Sequence, residues 1–165
     1  MQPDEAIDTV TLRLLLGDIG QASFAAAKDV DAYRNRYVPA MLVRVPSTFQ
    51  TNGIKIEKVE TNNARRTNTR YEVRIEASQF SQSKTGSCWV QYDLTLFDFQ
   101  KHTKIWGGRT QVNINTDQPL LRSEKLAGDI LNSLYREGII KLTPGYAVTP
   151  TGERITDVSI YSTDK

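Results

Sequence analysis

The sequence predicts a single α+β domain in which two helical segments pack on one face of a mixed, largely antiparallel sheet. Apolar and polar residues alternate from Tyr71 to Ala77, and a similar alternation runs through Cys88–Phe99, as expected of strands with one buried face. An apolar stripe at helical spacing follows between residues 120 and 134. Strands joined by short connections and followed by a helix are typical of this class.

Composition agrees with one soluble globular domain. The chain has 165 residues, of which 39% are hydrophobic and 24% are charged, enough to bury one core without disulfides or metals. Lys and Arg total 21 against 19 Asp and Glu, a net charge of +2, too small to make nucleic acid or an anionic membrane an obligatory partner. The single cysteine cannot form an internal disulfide, and no apolar run approaches the roughly 20 residues of a membrane-spanning helix.

The first third of the chain is predicted to form a strand, a broken helix and a second strand. Thr9–Leu16 predicts a central strand that stops at Gly17. A helical pattern begins at Gln21. Its prolines predict a new start with Pro39 in the first turn and a break or kink at Pro46. The helical region is predicted to end at Asn52-Gly53.

A meander with polar loops is predicted next. Residues 54–59 form a short strand, and 61–69 form an exposed loop rich in turn residues. In the strand from Tyr71 the charged residues are predicted to face water, and Ser81–Ser87 is predicted to be a loop. The strand up to Ile114 closes a hairpin, and its Gly107-Gly108 pair indicates a bulge or a close backbone approach.

The second helix has predicted ends as well as a predicted face. Asp117 or Gln118 caps its start with Pro119 in the first turn, and Gly138 suits the left-handed residue past its end. Its polar face includes Asp129 and Asn132. The domain is predicted to span residues 1–142, and residues 143–165 are predicted to be a loosely structured tail, in which Ile155, Val158 and Ile160 could add an edge strand.

No group of residues predicts catalysis, a metal or a cofactor. His102 is the only histidine and lies in a polar turn, so a solvated side chain is expected. Cys88 reads as a small buried hydrophobe. Gly17–Gly20 lacks the third glycine of a dinucleotide fingerprint and the lysine of a P-loop. Asp93 and Asp98 are five residues apart on one strand, which places them on opposite faces.

Two segments resemble a known family. The resemblance is to small lipoprotein domains of the Gram-negative cell envelope. It is carried by the hairpin from Asp98 to Trp106 and by the helix ending in Leu134–Gly138, and the similar order of elements covers residues 8–140. Such domains include the outer-membrane lipoprotein activators of penicillin-binding proteins and the N-terminal domain of the Tol-Pal propeller protein. The resemblance implies a non-enzymatic periplasmic domain that binds envelope proteins. It also implies that the native protein is held at the outer membrane by a lipid, which would be attached to a cysteine that this chain does not contain.

Partner-binding residues are predicted in the loops. Arg65, Arg66 and Lys84 are the candidates, because loops and sheet edges are where partners bind. Two alternatives stay open. The first is a cytosolic nucleic-acid-binding module that uses the Arg65–Arg74 region, although the mixed charge of this region means that no nucleic acid is expected. The second is a small-molecule site around Trp89, Tyr92 and Tyr135. Partner identity and oligomeric state are left open.

Overall fold

The computed structural model describes residues 5–17, 27–63, 69–82, 84–115, 118–156 and 160–162. It confirms the predicted α+β class, with a mixed, largely antiparallel sheet. The elements in chain order are β1 (Thr9–Leu15), α1 (Ala27–Ala32), a π-helical turn (Tyr33–Tyr37), α2 (Val38–Thr51), β2 (Lys55–Glu60), β3 (Tyr71–Gln82), β4 (Cys88–Asp98), β5 (Thr103–Asn113), α3 (Pro119–Arg136), β6 (Ala147–Val148), β7 (Arg154–Ile155) and β8 (Tyr161–Ser162).

Six strands form the main sheet in the order β2-β1-β3-β4-β5-β8. β1 is parallel to both of its neighbours, β2 and β3, whereas β3, β4, β5 and β8 are antiparallel to one another in turn. The prediction that the first strand lies inside the sheet is therefore confirmed. Because β2 and β3 lie on either side of β1 and run the same way, the connection between them must pass over β1.

The core lies between the helices and one face of the sheet. Alternate residues of β3 and β4 supply the sheet side, and Trp106 of β5 is 1% exposed. The helices supply the other side through large buried residues: Tyr33, Tyr37, Met41, Val45, Phe49, Leu126, Ile130, Leu131 and Leu134. At about 25 cal/mol per Å² of buried apolar surface, this single cluster is the main stabilising contribution to the fold.

The first helical region is continuous where the sequence predicts a break. Helical backbone runs from Ala27 to Thr51, so the helix is not broken at Pro46, where a break or kink is predicted. The predicted start with Pro39 in the first turn is confirmed, because α2 begins at Val38. Pro46 removes one amide hydrogen bond, but Val45 and Phe49 on either side are 0% and 1% exposed, and burying this apolar face outweighs the lost bond. The predicted end is confirmed, because Gly53 follows the helix with a φ of 87°. Residues 21–26 of the predicted helix lie outside the described residues.

Two residues of the predicted polar face of α3 are buried, whereas Arg122 and Lys125 are half-exposed and Arg136 is exposed. Asn132 is 7% exposed, because the antiparallel pair β6–β7 packs on that side of the helix, and Asp129, which is 2% exposed, lies beside β5. The Asn132 amide donates to the carbonyl oxygen of Ile155 at 2.7 Å and accepts the amide hydrogen of Ala147 at 2.8 Å. Residues 147–155 are thus tied to the helix by side-chain bonds, and the domain boundary at residue 142 stays a prediction.

The close approach predicted at the glycine pair of β5 is confirmed. A Cβ on Gly108 would lie 2.5 Å from Cγ2 of Ile160 and 3.3 Å from the Trp106 ring. The pairing of β4 with β5 also shifts register between Leu96 and Phe97, opposite this region. The missing side chain lets β8 pair with β5 at the edge of the sheet. Of the residues predicted for an edge strand, Ile155 lies in β7 of the separate two-stranded sheet, Ile160 directly precedes β8, and Val158 lies outside the described residues.

Candidate functional site

The predicted partner-binding residues are not all described, and the loops that carry them are far apart. Lys84 is exposed in the turn after β3, whereas Arg65 and Arg66 lie outside the described residues. The described ends of their loop are Asn63 and Thr69, and Thr69 precedes the first residue of β3. At about 3.3 Å per residue, the twelve residues of β3 separate Thr69 from Lys84 by roughly 36 Å. The two loops therefore cannot form one compact site.

The connection between β2 and β3 is held against β1 by side chains of that strand. The Arg13 guanidinium donates to the carbonyl oxygen of Asn62 at 2.5 Å, and the Thr11 hydroxyl donates to Thr69 Oγ1 at 2.8 Å. Arg13 and Thr11 are 2% and 0% exposed. Both ends of the described connection are thus fixed on the sheet face opposite the helices.

A buried ion cluster lies beneath this connection. Arg13 Nε is 2.8 Å from Glu72 Oε1, and Arg74 Nη2 is 3.4 Å from Glu72 Oε2. Glu72 is 2% exposed, so the prediction that it faces water is wrong, because the side chains of Arg13 and Arg74 lie against its carboxylate. Two arginines share one buried carboxylate, and removing that carboxylate leaves a buried positive charge without compensation.

A second ion pair joins the β2–β3 connection to the β4–β5 turn. Arg70 Nε and Nη2 donate to the two carboxylate oxygens of Asp98 at 3.0 and 2.9 Å. The amide hydrogens of Gln100 and Lys101 donate to Asp98 Oδ1 at 2.9 and 3.2 Å. The bond from Arg70 and those two amides hold the pKa of the Asp98 carboxyl below its usual value, although burial opposes them.

This depressed pKa predicts an acid-dependent loss of stability. A carboxyl whose pKa is lower in the folded state adds stability above its unfolded pKa of about 3.9 and loses it as pH falls through the folded pKa. Asp98→Asn is expected to lower the free energy of unfolding by about 1–2 kcal/mol at pH 7, and this difference should shrink below about pH 4. Urea unfolding of both proteins between pH 7 and pH 2.5 measures it.

The control is Asp93→Asn, which breaks the exposed pair that Asp93 forms with Arg109 at 2.8 Å. An exposed pair contributes about 0–1 kcal/mol, so a smaller loss is expected at pH 7. A difference between wild type and Asp98→Asn that stays constant down to pH 2.5 would contradict the depressed pKa.

The sheet face opposite the helices is another candidate surface. We call it the outer face and define it by Glu76 and Gln79 of β3, Trp89, Gln91, Asp93, Thr95 and Phe97 of β4, Arg109 and Gln111 of β5, and Tyr161 of β8. Strand pairing places these residues in rows across the sheet, and all are half-exposed or exposed. Tyr161 is 77% exposed.

Side-chain bonds order part of the outer face. Gln91 Nε2 donates to Ser78 Oγ at 2.9 Å, and Gln79 Nε2 donates to Gln91 Oε1 at 3.3 Å. The ring centroids of Phe97 and Phe99 are 4.9 Å apart near the other end of β4. The outer face therefore combines fixed amides with half-exposed aromatic rings, a composition typical of protein interfaces.

The predicted small-molecule site is not brought together. Tyr92 is 0% exposed in the core, with its hydroxyl 3.2 Å from Met41 Sδ, and burial raises its pKa. Trp89 lines a half-open cavity of about 250 Å³ together with residues of β5 and α3, and that lining includes neither Tyr92 nor Tyr135.

The two residues weighed for chemistry are a buried cysteine and an exposed histidine. Cys88 is 0% exposed, and burial, with a smaller contribution from Asp29, raises the pKa of its thiol to about 11, so it is not a reactive thiolate at neutral pH. His102 is exposed in the β4–β5 turn with a φ of 53°, which agrees with the predicted solvated side chain. Among the residues described, no group of three or more His, Cys, Asp or Glu is placed to hold a metal.

The described arginines of the proposed nucleic-acid patch face acidic partners. Arg70 is paired with Asp98 and Arg74 with Glu72. Phosphate binding would have to compete with these carboxylates. The Arg65–Arg74 region therefore gives little support to a nucleic-acid-binding module.

Comparison with known proteins gives structural similarity only. No protein-family model matches the chain, and no curated protein matches it either. No helix within the described ranges is long and apolar enough to span a membrane.

Three solved structures are similar at 15% sequence identity. Two are dodecamers of PelC from Paraburkholderia phytofirmans. The match to the first covers 77% of this chain and 89% of the PelC chain, with a TM-score of 0.41. The match to the second covers 74% of this chain and 84% of the PelC chain, with a TM-score of 0.44. The third is a minor lipoprotein from Acinetobacter baumannii, which covers 81% of this chain and 97% of its own with a TM-score of 0.38. At this identity the similarities concern the backbone alone.

Proposed function

We propose that the protein is a non-enzymatic domain of the Gram-negative cell envelope that binds another protein through the outer face. The observation that carries this proposal is the outer face itself. It is broad and polar, it holds the half-exposed Trp89 and Phe97 and the exposed Tyr161, and the helices pack on the opposite side of the sheet. Tyr, Trp and Phe are enriched in protein interfaces.

The shape of the surface favours a protein over a small molecule as the ligand. Small-molecule sites are concave, mostly apolar and about 300–1,000 Å³ in volume, whereas the outer face follows the surface of β3, β4 and β5. The edge strand β2 is a poorer candidate, because Lys55, Glu57, Lys58 and Glu60 place charges along it. Charged edges resist pairing with another chain.

The proposed location rests on the sequence resemblance carried by Asp98–Trp106 and Leu134–Gly138. In this proposal the native protein is periplasmic and is held at the outer membrane by a lipid. Fractionation of the source cells, followed by the mass of the N-terminal peptide of the native protein, tests it. An acylated cysteine in the membrane fraction supports the location, and an unmodified N-terminus in the cytosol contradicts it.

Site-specific photo-crosslinking tests the binding surface in living cells. A photoreactive phenylalanine derivative is introduced in place of Gln79, which is exposed on the outer face, and in a second strain in place of Arg136, which is exposed at the end of α3. We expect a discrete crosslinked product from position 79, with an envelope protein identified in it by mass spectrometry, and no such product from position 136.

The proposal has two distinct ways to fail. Equal products from both positions, or none from position 79 in a protein of native thermal stability, would show that the outer face is not the binding surface. A metabolite that saturably stabilises the purified protein against heat would instead support the small-molecule alternative.

A further inference from the structure

The cavity beside Trp89 lies at the border of the outer face, where the C-terminal end of β5 meets the first turns of α3. Its volume is about 250 Å³, and its polar and aromatic lining residues are Trp89, Thr110, Gln111, Asn113, Arg122, Lys125 and Asp129. Trp89 and Gln111 also belong to the outer face. A protein bound on the outer face would therefore contact two residues of the cavity's lining.

The charges of the lining favour an anion. Arg122 and Lys125 are cationic, and Asp129, which is 2% exposed, is the acidic residue among the lining residues. Arg122 and Lys125 are three residues apart on α3, so both lie on one side of the helix. The lining therefore carries a net charge of +1, and Arg122 is half-exposed.

The remaining residues fit a carboxylate on a short carbon stem. The guanidinium of Arg122 can bind two carboxylate oxygens at once, and the side-chain amides of Gln111 and Asn113 can donate further hydrogen bonds. The half-exposed Trp89 ring adds an apolar wall for methylene groups. The cavity is smaller than the usual range for cofactors and drug-sized ligands and suits one side chain or one chain end.

We propose that this cavity binds a carboxylate group of the protein partner, with Arg122 as its direct ligand and Trp89 as its apolar wall. This inference rests on the proposed function, because the carboxylate belongs to the protein that covers the outer face. An acidic side chain and a C-terminal carboxylate share the required chemistry, and the experiment separates them.

Nuclear magnetic resonance titration of the full chain tests the proposal with three capped peptides. Acetyl-Ala-Glu-Ala-amide carries a side-chain carboxylate, acetyl-Ala-Ala-Ala carries a terminal carboxylate, and acetyl-Ala-Gln-Ala-amide carries neither. We expect saturable shifts of the Trp89 indole and Arg122 guanidinium signals with a carboxylate peptide. The amide peptide should bind about tenfold more weakly or worse, since a hydrogen bond to a charged group contributes about 1.5–3 kcal/mol.

Two variants on the same helix separate this site from general charge attraction. Arg122→Gln is expected to weaken carboxylate binding at least about tenfold, whereas Arg136→Gln, which removes an exposed arginine of the last turn, should leave it unchanged. Equal binding by both variants, equal shifts from the amide peptide, or no saturation would overturn the proposal.

The peptide titration and the crosslinking fail independently. Crosslinks from position 79 together with no peptide binding would refute the carboxylate site and leave the proposed function standing. Peptide binding without crosslinks from position 79 would refute the protein-binding outer face and leave a carboxylate site.

Discussion

Replacement of Glu72 by glutamine is expected to lower the free energy of unfolding by about 3–5 kcal/mol. Glu72 accepts from Arg13 at 2.8 Å and lies 3.4 Å from Arg74. Arg13 and Glu72 are both 2% exposed, so the variant leaves the Arg13 guanidinium buried without its counter-charge. Breaking one side of a buried ion pair is among the few single changes with so large an effect.

Urea unfolding at pH 7 measures this loss, and Glu76→Gln is the matched control. Glu76 lies on the outer face of β3 and is half-exposed. Its replacement should therefore change the free energy of unfolding by no more than about 0.5 kcal/mol. The double variant Arg13→Met/Glu72→Leu removes both charges and should recover most of the stability, because apolar residues can replace a buried pair. Equal effects of Glu72→Gln and Glu76→Gln would contradict a buried cluster.

The same variant should loosen the β2–β3 connection. Arg13 is held on one side by Glu72 and donates on the other to Asn62. Without Glu72 the guanidinium loses the contact that fixes it on one side, so its bond to Asn62 should weaken. The position of this connection on the sheet thus depends on an electrostatic contact that lies beneath it.

The meander could be predicted from sequence because its signal is local. Alternation in β3 and β4 gives the buried face directly, and Trp106 and Gly108 follow from the hairpin. The ion cluster could not be predicted in this way, because Arg13 and Glu72 are 59 residues apart and meet only after β3 pairs with β1. One signal was present: Arg13 interrupts the apolar run of a strand predicted to be central, and a charge there requires a buried partner.

For the candidate surfaces too, features set by neighbouring residues could be predicted from the sequence, whereas features set by distant residues could not. Lys84 could be placed in an exposed turn from its neighbours alone. The cavity that contains Arg122 depends on how α3 packs beside β5, which no sequence period encodes. The burial of Asn132 was missed because it looks like a solvent-facing residue until residues 147–155 pack on it.

Gly128 permits that packing, and Gly128→Ala is expected to lower the free energy of unfolding by about 2 kcal/mol. In the middle of an exposed helix the same change would raise it by about 1 kcal/mol. Here the new Cβ would lie 2.7 Å from Ile155 Cγ2 and 2.9 Å from Ile155 Cβ, so β7 would have to move. Ile155 is 5% exposed, and losing its burial costs about 2–5 kcal/mol, more than the helix gains.

A double-mutant cycle with Ile155→Ala tests this explanation, because the smaller side chain removes the atoms that the Cβ would meet most closely. In the Ile155→Ala background, Gly128→Ala should become neutral or stabilising by up to about 1 kcal/mol. The Asn132 side-chain amide signals should shift in Gly128→Ala alone, since that amide binds Ala147 and Ile155. A stabilising Gly128→Ala in the wild-type background would show that β7 does not press on α3, and residues 147–155 would then be the loose tail that the sequence predicts.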